Sequence, residues 1–439
     1  MDIKCQHKYS RNGIIALCCL VYFVSYFSRK DFAAVMAGMI TDGAIGRANA
    51  GLVGTMLFIF YGIGQLVSGY LGDKIRPKYL IIAGLSVTGF CNALMPSVFE
   101  VMMIAVWGVN GLAQAMLWPP IVKILSQHLD HDTYVTANLA VTSAAHVATV
   151  LLYVFVPFCL TYMSWREVFI FASSLAFLSM AVFVIAMRFI LPKSVEDSVT
   201  PDSDGNINSG KCKKINEQEI ADGVGNSSST FERSIFSILR EAGIFTVFVC
   251  IVVLGFLRDG IESWLPMLYS EAFGKDVSES TLVSMILPVF SIISIILVTR
   301  LHKKGLLRNE VKGTAILFGF ALVSAIPLAF FVSIDGTFFA IASLLLTALI
   351  CAAMHGANFL LISCLPGRFS KFGRSATVSG VCNSCVYIGA AISTYGIALV
   401  SDAMGWSVTI AMWCAILVVG VAFAGISYKK YTSMVNEEK

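Results

Sequence analysis

Twelve long apolar runs divide this 439-residue sequence, at 12–38, 50–72, 78–97, 99–127, 134–160, 166–191, 241–270, 280–301, 313–333, 337–365, 376–401 and 405–428. A helix needs about 20 apolar residues to cross the hydrocarbon core of a bilayer, and these runs supply that length repeatedly. Composition agrees: 57% of the residues are hydrophobic and only 13% are charged, which is not the mix of a soluble domain. The chain is therefore read as an all-α membrane protein with twelve transmembrane helices. The first run holds Arg29 and Lys30 and is followed by no small-residue cleavage site, so it is expected to stay as a span and not to be removed as a signal peptide.

Lysine and arginine set the orientation, because positive loops are retained on the cytoplasmic side. With the N-terminus inside, 24 of the 31 Lys and Arg fall in inner segments, while the outer loops hold only Arg47, Arg166 and Lys275. Both termini are expected to be cytoplasmic, with a bacterial cytoplasmic membrane as the default location. A net charge of +4 spread over many short loops makes no nucleic-acid footprint. Most of the 12 cysteines lie in apolar runs, where they are expected to pack as small hydrophobes, with no CxxC metal pair and no disulfide framework.

The longest polar segment, 193–238, is rich in Ser, Asn, Gly, Asp and Lys and splits the spans six and six. It reads as a flexible cytoplasmic linker between an N-terminal bundle (1–192) and a C-terminal bundle (239–439). The halves echo each other: SWREVFIF opens span 6 and GWSVTIAM opens span 12, while SRKDF in span 1 is matched by LRDGI in span 7. Parallel six-helix repeats of this kind put a substrate site near the bilayer midplane and rock around it.

Arg29, Lys30 and Asp31 interrupt span 1, and Arg258 interrupts span 7. An arginine at mid-membrane costs about 2.5 to 3.5 kcal/mol on insertion scales and is kept only where it faces protein or a water-filled path. One reading is structural: Arg258 pairs with Glu262 or Asp259, and Arg29 pairs with Asp31 or a distant acid. The other is an anion site, in which one guanidinium fork from each half binds a dianionic group bidentately.

The residues around these arginines carry a resemblance. YFVSYFSRKDF, with Tyr22, Tyr26, Arg29 and Lys30, is similar to span 1 of the organophosphate:phosphate antiporter family, which includes glycerol-3-phosphate and hexose-6-phosphate transporters. AMLWPP (115–120), SAAH (143–146) and FLRDGIESWLP (256–266) extend the likeness, and GYLGDKIRPK (69–78) resembles the loop signature of the major facilitator superfamily after span 2. The resemblance implies that Arg29 and Arg258 bind the phosphoryl group, that His146 lies beside it, and that Lys30, Tyr22 and Tyr26 line the same cavity. It also implies a monomer. Two positions depart from the pattern: Gln65 stands in span 2 where a lysine is found, and Gly255 in span 7 where a tyrosine is found. The cavity is expected to be less basic there.

Chemically the assignment is sensible, because a phosphate monoester with a second pKa near 6 mostly carries two charges at neutral pH. His146, with an unperturbed pKa of about 6.5, offers a proton-dependent contact; the alternative is a neutral histidine bonded to a neighbouring helix. His355 and Asn358 in span 10 and Asn383, Ser384 and Tyr387 in span 11 are candidates for reading sugar hydroxyls, although asparagines in membrane helices often bond across helices only. HLDHD (128–132) reads as a solvated turn and not a metal site. The chain carries no GxxxxGK[ST] loop, GxSxG elbow or HExxH pair, so no hydrolytic enzyme, metal or cofactor is expected. The partners expected are the lipid bilayer and a small anion, a phosphate ester or phosphate. The leading expectation is an organic phosphate:phosphate exchanger. Its rivals are a proton-coupled symporter with Asp31, Asp259 or Glu262 as proton carrier, and a membrane sensor of sugar phosphate.

Overall fold

The computed structural model describes residues 3–129, 131–190, 244–307, 309–366 and 375–436, and all regular structure among them is helical. The first half comprises α1 (Ile3–Thr41), α2 (Arg47–Lys74), α3 (Pro77–Leu94), α4 (Glu100–Ala115), α5 (Trp118–His128), α6 (His131–Tyr162) and α7 (Trp165–Ile190). The second comprises α8 (Ile244–Phe273), α9 (Val277–Val283), α10 (Ile286–Lys303), α11 (Glu310–Phe331), α12 (Thr337–Asn358) and α13 (Ser375–Asn436). The linker expected at 193–238 lies outside the described residues.

Thirteen helices make twelve spans by three identifiable breaks. Pro119 and Pro120 fall at the start of α5, where their missing N–H groups cost nothing, so α4 and α5 form one bent span. Likewise, α9 and α10 form one span with its break ahead of Pro288. In α13, Gly405 takes φ 80°, ψ 178°, a conformation open to glycine, and divides the stretch into two spans. Nine described stretches are long and apolar enough to cross a membrane, one of them the double stretch Gly380–Tyr428. The remaining two crossings are α2, which carries the apolar run 50–72, and α8, which is interrupted by Arg258, Asp259 and Glu262. The limits read from the sequence hold to within a few residues, apart from helix ends that project beyond the apolar runs, as at α1 and α13.

Large apolar side chains such as Phe99, Phe338 and Val323 remain exposed, which in this fold means facing lipid. Inside each half, small residues let helices approach. A Cβ on Gly255 would sit 2.0 Å from the Val386 backbone O, and one on Gly389 would sit 2.1 Å from that of Val252, so α8 and α13 touch backbone to backbone. This corrects the sequence expectation for Gly255: it is a packing position against α13 and not part of the cavity wall.

The two halves meet at the end where α1 finishes. There Thr55 in α2 donates to the Ala391 backbone O in α13 at 2.8 Å, and Gly51 lies against Thr394 and Ala398. Arg47 pairs with Glu271 of α8 and reaches Asp402 at 3.7 Å, while the Trp406 indole N–H donates to Glu271 at 2.7 Å. At the opposite end, where α1 begins, the halves part around a cavity.

Candidate functional site

A cavity of about 600 Å³ lies between the two halves. All ten residues singled out from the sequence stand on its wall: Tyr22, Tyr26, Arg29 and Lys30 from α1, Gln65 from α2, His146 from α6, Arg258 from α8, His355 and Asn358 from α12, and Asn383 from α13. Its mouth is lined by Tyr134 and Asn138 near the start of α6, by Thr299 and Lys303 at the end of α10, and by Ile362 and Ser363 beyond α12. These all belong to the end at which α1 begins.

The two arginines are held differently. Arg258 donates to Asp259 Oδ2 at 2.7 Å and to Asn358 Oδ1 at 2.8 Å, so the adjacent acid is its partner and Glu262 is not. Arg29 has its guanidinium carbon 4.1 Å from the centre of the Tyr26 ring and 5.1 Å from that of Tyr61. Such cation–π stacking leaves its N–H fork unspent. Among the described residues no carboxylate lies within ion-pair distance of Arg29. The alternative pairing of Arg29 with Asp31 does not occur: two positions apart, they point about 200° from each other around α1, and Asp31 is buried away from the cavity wall.

Lys30 crosses between the halves. Its Nζ donates to Glu262 Oε2 at 2.6 Å and lies 3.8 Å from Asp259 Oδ1. The other Glu262 oxygen accepts from His355 Nε2 at 2.7 Å, and the Tyr153 hydroxyl of α6 donates to the Glu262 backbone O at 3.1 Å. Glu262 thus joins α1, α6, α8 and α12. The ring centres of His146 and His355, one from each half, are 5.8 Å apart, and His146 Nδ1 is hydrogen-bonded to the Thr142 backbone O at 3.0 Å.

An aromatic wall completes the site. Tyr22 packs between Tyr26 (5.0 Å) and Trp118 (4.8 Å), and Tyr61 meets Tyr387 at 4.5 Å across the two halves. Tyr61 was missed in the sequence reading, although it lies one turn before Gln65 on the same face of α2. Asn358 is the last residue of α12, and the segment Phe359–Cys364 that follows is a π-helix, an irregularity frequent at functional sites. Glu262, Cys351 and His355 bring three potential metal-ligand atoms within 4.8 Å of one another. The Glu262 carboxylate is already matched by the donors of Lys30 and His355, so the cluster is complete as a hydrogen-bond network. Cys382 and Cys385 do have a CxxC spacing in α13, which corrects the expectation that no such pair occurs; both are free thiols.

This architecture defines a class: a membrane carrier of two six-helix bundles enclosing a polar cavity rich in arginine, lysine and tyrosine. The chain belongs to the Major Facilitator Superfamily, whose family model matches residues 18–394. It is 30% identical over 204 residues to the "Probable hexose phosphate transport protein" of Chlamydia trachomatis, a match covering 46% of this chain and 42% of that protein. The chain thus spans less than half of the length of that relative. A protein of the same description from Chlamydia pneumoniae is 24% identical over 421 residues, 92% of this chain and 88% of its own length. The "Membrane sensor protein UhpC" of Escherichia coli is 30% identical over 126 residues, covering 28% of this chain and 29% of that one. In structure, the chain is similar to a bacterial homolog of the human lysosomal transporter Spinster in an inward-facing, unoccupied conformation. The TM-score is 0.73 at 14% identity, over 97% of this chain and 98% of that one. Family and fold are those of membrane transporters and not of enzymes.

Proposed function

We propose that this chain is a secondary active transporter that exchanges an organic phosphate, a hexose phosphate or glycerol phosphate, for inorganic phosphate by alternating access. The observation that carries this reading is Arg29: a buried guanidinium on the cavity wall, stacked on two tyrosines and matched by no carboxylate among the described residues. A buried cation without a counter-ion is costly, and a phosphoryl group meeting its fork, with Arg258 contributing from the other bundle, supplies what is missing. The names of the chlamydial relatives support the phosphate class. Lys30, His146, Tyr22 and Tyr26 would surround the phosphoryl group, while Gln65, His355, Asn358 and Asn383 would face the organic moiety. The bundles 1–192 and 239–439 would rock as units, as a monomer, with both termini and the cavity mouth on the cytoplasmic side. Drawing the arginines together around phosphate would lower the barrier to rocking, so the empty carrier should turn over slowly.

The test is radiolabelled phosphate exchange in phosphate-loaded proteoliposomes, with wild type beside Arg29→Lys and Arg258→Lys, which keep charge but lose the bidentate fork. Exchange in wild type that collapses in both variants is expected. The likeness to a membrane sensor over 126 residues favours one second reading, a sugar-phosphate sensor: folded wild-type protein that binds sugar phosphate but exchanges nothing would replace the carrier reading with that one.

A further inference from the structure

Asp31 follows Arg29 and Lys30 in sequence but does not line the cavity. It is fully buried in the N-terminal half. Its Oδ1 accepts from the Phe32 backbone N–H at 2.7 Å, and its Oδ2 has no hydrogen-bond partner. Two further buried acceptors on the facing helices are also unmatched, Oδ1 of Asn92 in α3 and Oδ1 of Asn110 in α4. The amide nitrogens of these asparagines converge on α1, donating to the Ser28 backbone O at 3.2 and 3.3 Å, one turn before Asp31 and on its side of the helix.

The unmatched atoms of Asp31, Asn92 and Asn110 are all acceptors, so none of the three matches another unless Asp31 carries a proton. Among the described residues, the partners of its α1 neighbours Ser28 and Phe32 are Asn92 from α3, Asn110 and Trp107 from α4 and Ala172 from α7, none of them charged, and no cation is within ion-pair distance of Asp31. The cations on α1 are directed into the cavity, Arg29 to its tyrosines and Lys30 to Glu262. An ionised carboxylate buried here would be isolated, at a cost far above that of a neutral acid. A proton on Oδ2 removes that charge and turns the unmatched oxygen from an acceptor into a donor. A metal ion would instead need a cage of oxygens and room to hold it.

We propose that Asp31 is a proton-binding site of this carrier and that its proton travels with the anion. The inference rests on reading the cavity as an anion site. At the level of Arg29, away from Lys303 at the mouth, Arg29, Lys30 and Arg258 against Asp259 and Glu262 leave one positive charge in surplus. Ionised Asp31, two residues from Arg29, would cancel that surplus. Anion binding therefore favours protonated Asp31, and protonation favours the anion by the same factor. Exchange is a partial reaction that antiporters and symporters share; accumulation into vesicles holding no phosphate is the additional activity predicted here.

The experiment uses full-length protein in phosphate-free proteoliposomes, with the membrane potential clamped and the outside more acidic than the lumen. Wild type should concentrate labelled phosphate toward the limit for one proton per anion, about tenfold per pH unit. Asp31→Asn, a permanently neutral side chain, should lose this accumulation while keeping phosphate–phosphate exchange. Wild type that exchanges phosphate but does not accumulate it overturns the proposal while leaving the exchanger intact; wild type that does neither overturns the exchanger reading itself. Undiminished accumulation in Asp31→Asn would show that phosphate monoanion carries the proton, and accumulation driven by a sodium gradient alone would make the cluster a cation site; either result overturns the proposal. Wild type that fails to accumulate overturns the proposal whether or not the variant folds; where Asp31→Asn fails to fold, Asp31→Ser is the second neutral variant, and it should lose accumulation and keep exchange in the same way.

Discussion

At the scale of the residue, the cavity separates charges that are satisfied from one that is not. Arg258 has Asp259 and Asn358, and Lys30 has Glu262, whereas Arg29 has only tyrosine faces. Replacing Arg29 by Lys should therefore weaken phosphate binding by about 1.5 to 3 kcal/mol, the worth of a charge-assisted hydrogen bond, with thermal stability little changed; competition binding and thermal unfolding in detergent would check both. Glu262→Gln should behave in the opposite way. It leaves Lys30 buried with only Asp259, 3.8 Å away and already paired with Arg258, at a cost of about 3 kcal/mol. Adding Lys30→Met to it should recover most of that loss, and a double-mutant cycle of melting temperatures would show the coupling.

At the scale of the element, close helix approach depends on glycine at defined places. Gly255→Ala would put a Cβ 2.0 Å from the Val386 backbone O. Backbone cannot yield as a flexible side chain does, so a loss of about 1 to 3 kcal/mol is expected. Gly396→Ala, in the same helix α13 but with nothing within 4 Å of the added carbon, should be neutral or slightly stabilising. Thermal unfolding of the two variants side by side tests the crossing directly.

At the scale of the whole molecule, the cavity is open at one end and the halves are latched at the other. The Thr55 and Thr394 hydroxyl oxygens are 2.8 Å apart across that latch, close enough for a disulfide. In a background freed of its native cysteines, Thr55→Cys with Thr394→Cys should cross-link on oxidation, abolish phosphate exchange, and recover it on reduction. Exchange that continues through a complete cross-link would show that this end need not open during transport.

The sequence by itself determined the number of crossings and ten of the residues on the cavity wall. Backbone groups in a bilayer must be satisfied within their own segment, which makes each apolar run a helix, and charge inside such a run must face protein or water. Hence YFVSYFSRKDF and FLRDGIESWLP pointed to the cavity wall before any packing was known. Only the tertiary structure decided which charge meets which. Lys30 and Glu262 are 232 positions apart, and periodicity within one helix says nothing about a partner across the bundle. The same limit explains the two misreadings: Gly255 was assigned to the cavity because its neighbour α13 was unknown, and Asp31 was offered to Arg29 because adjacency in sequence is not adjacency in space. Tyr61 went unnoticed because a tyrosine in an apolar helix carries no signal until a guanidinium is found over its ring.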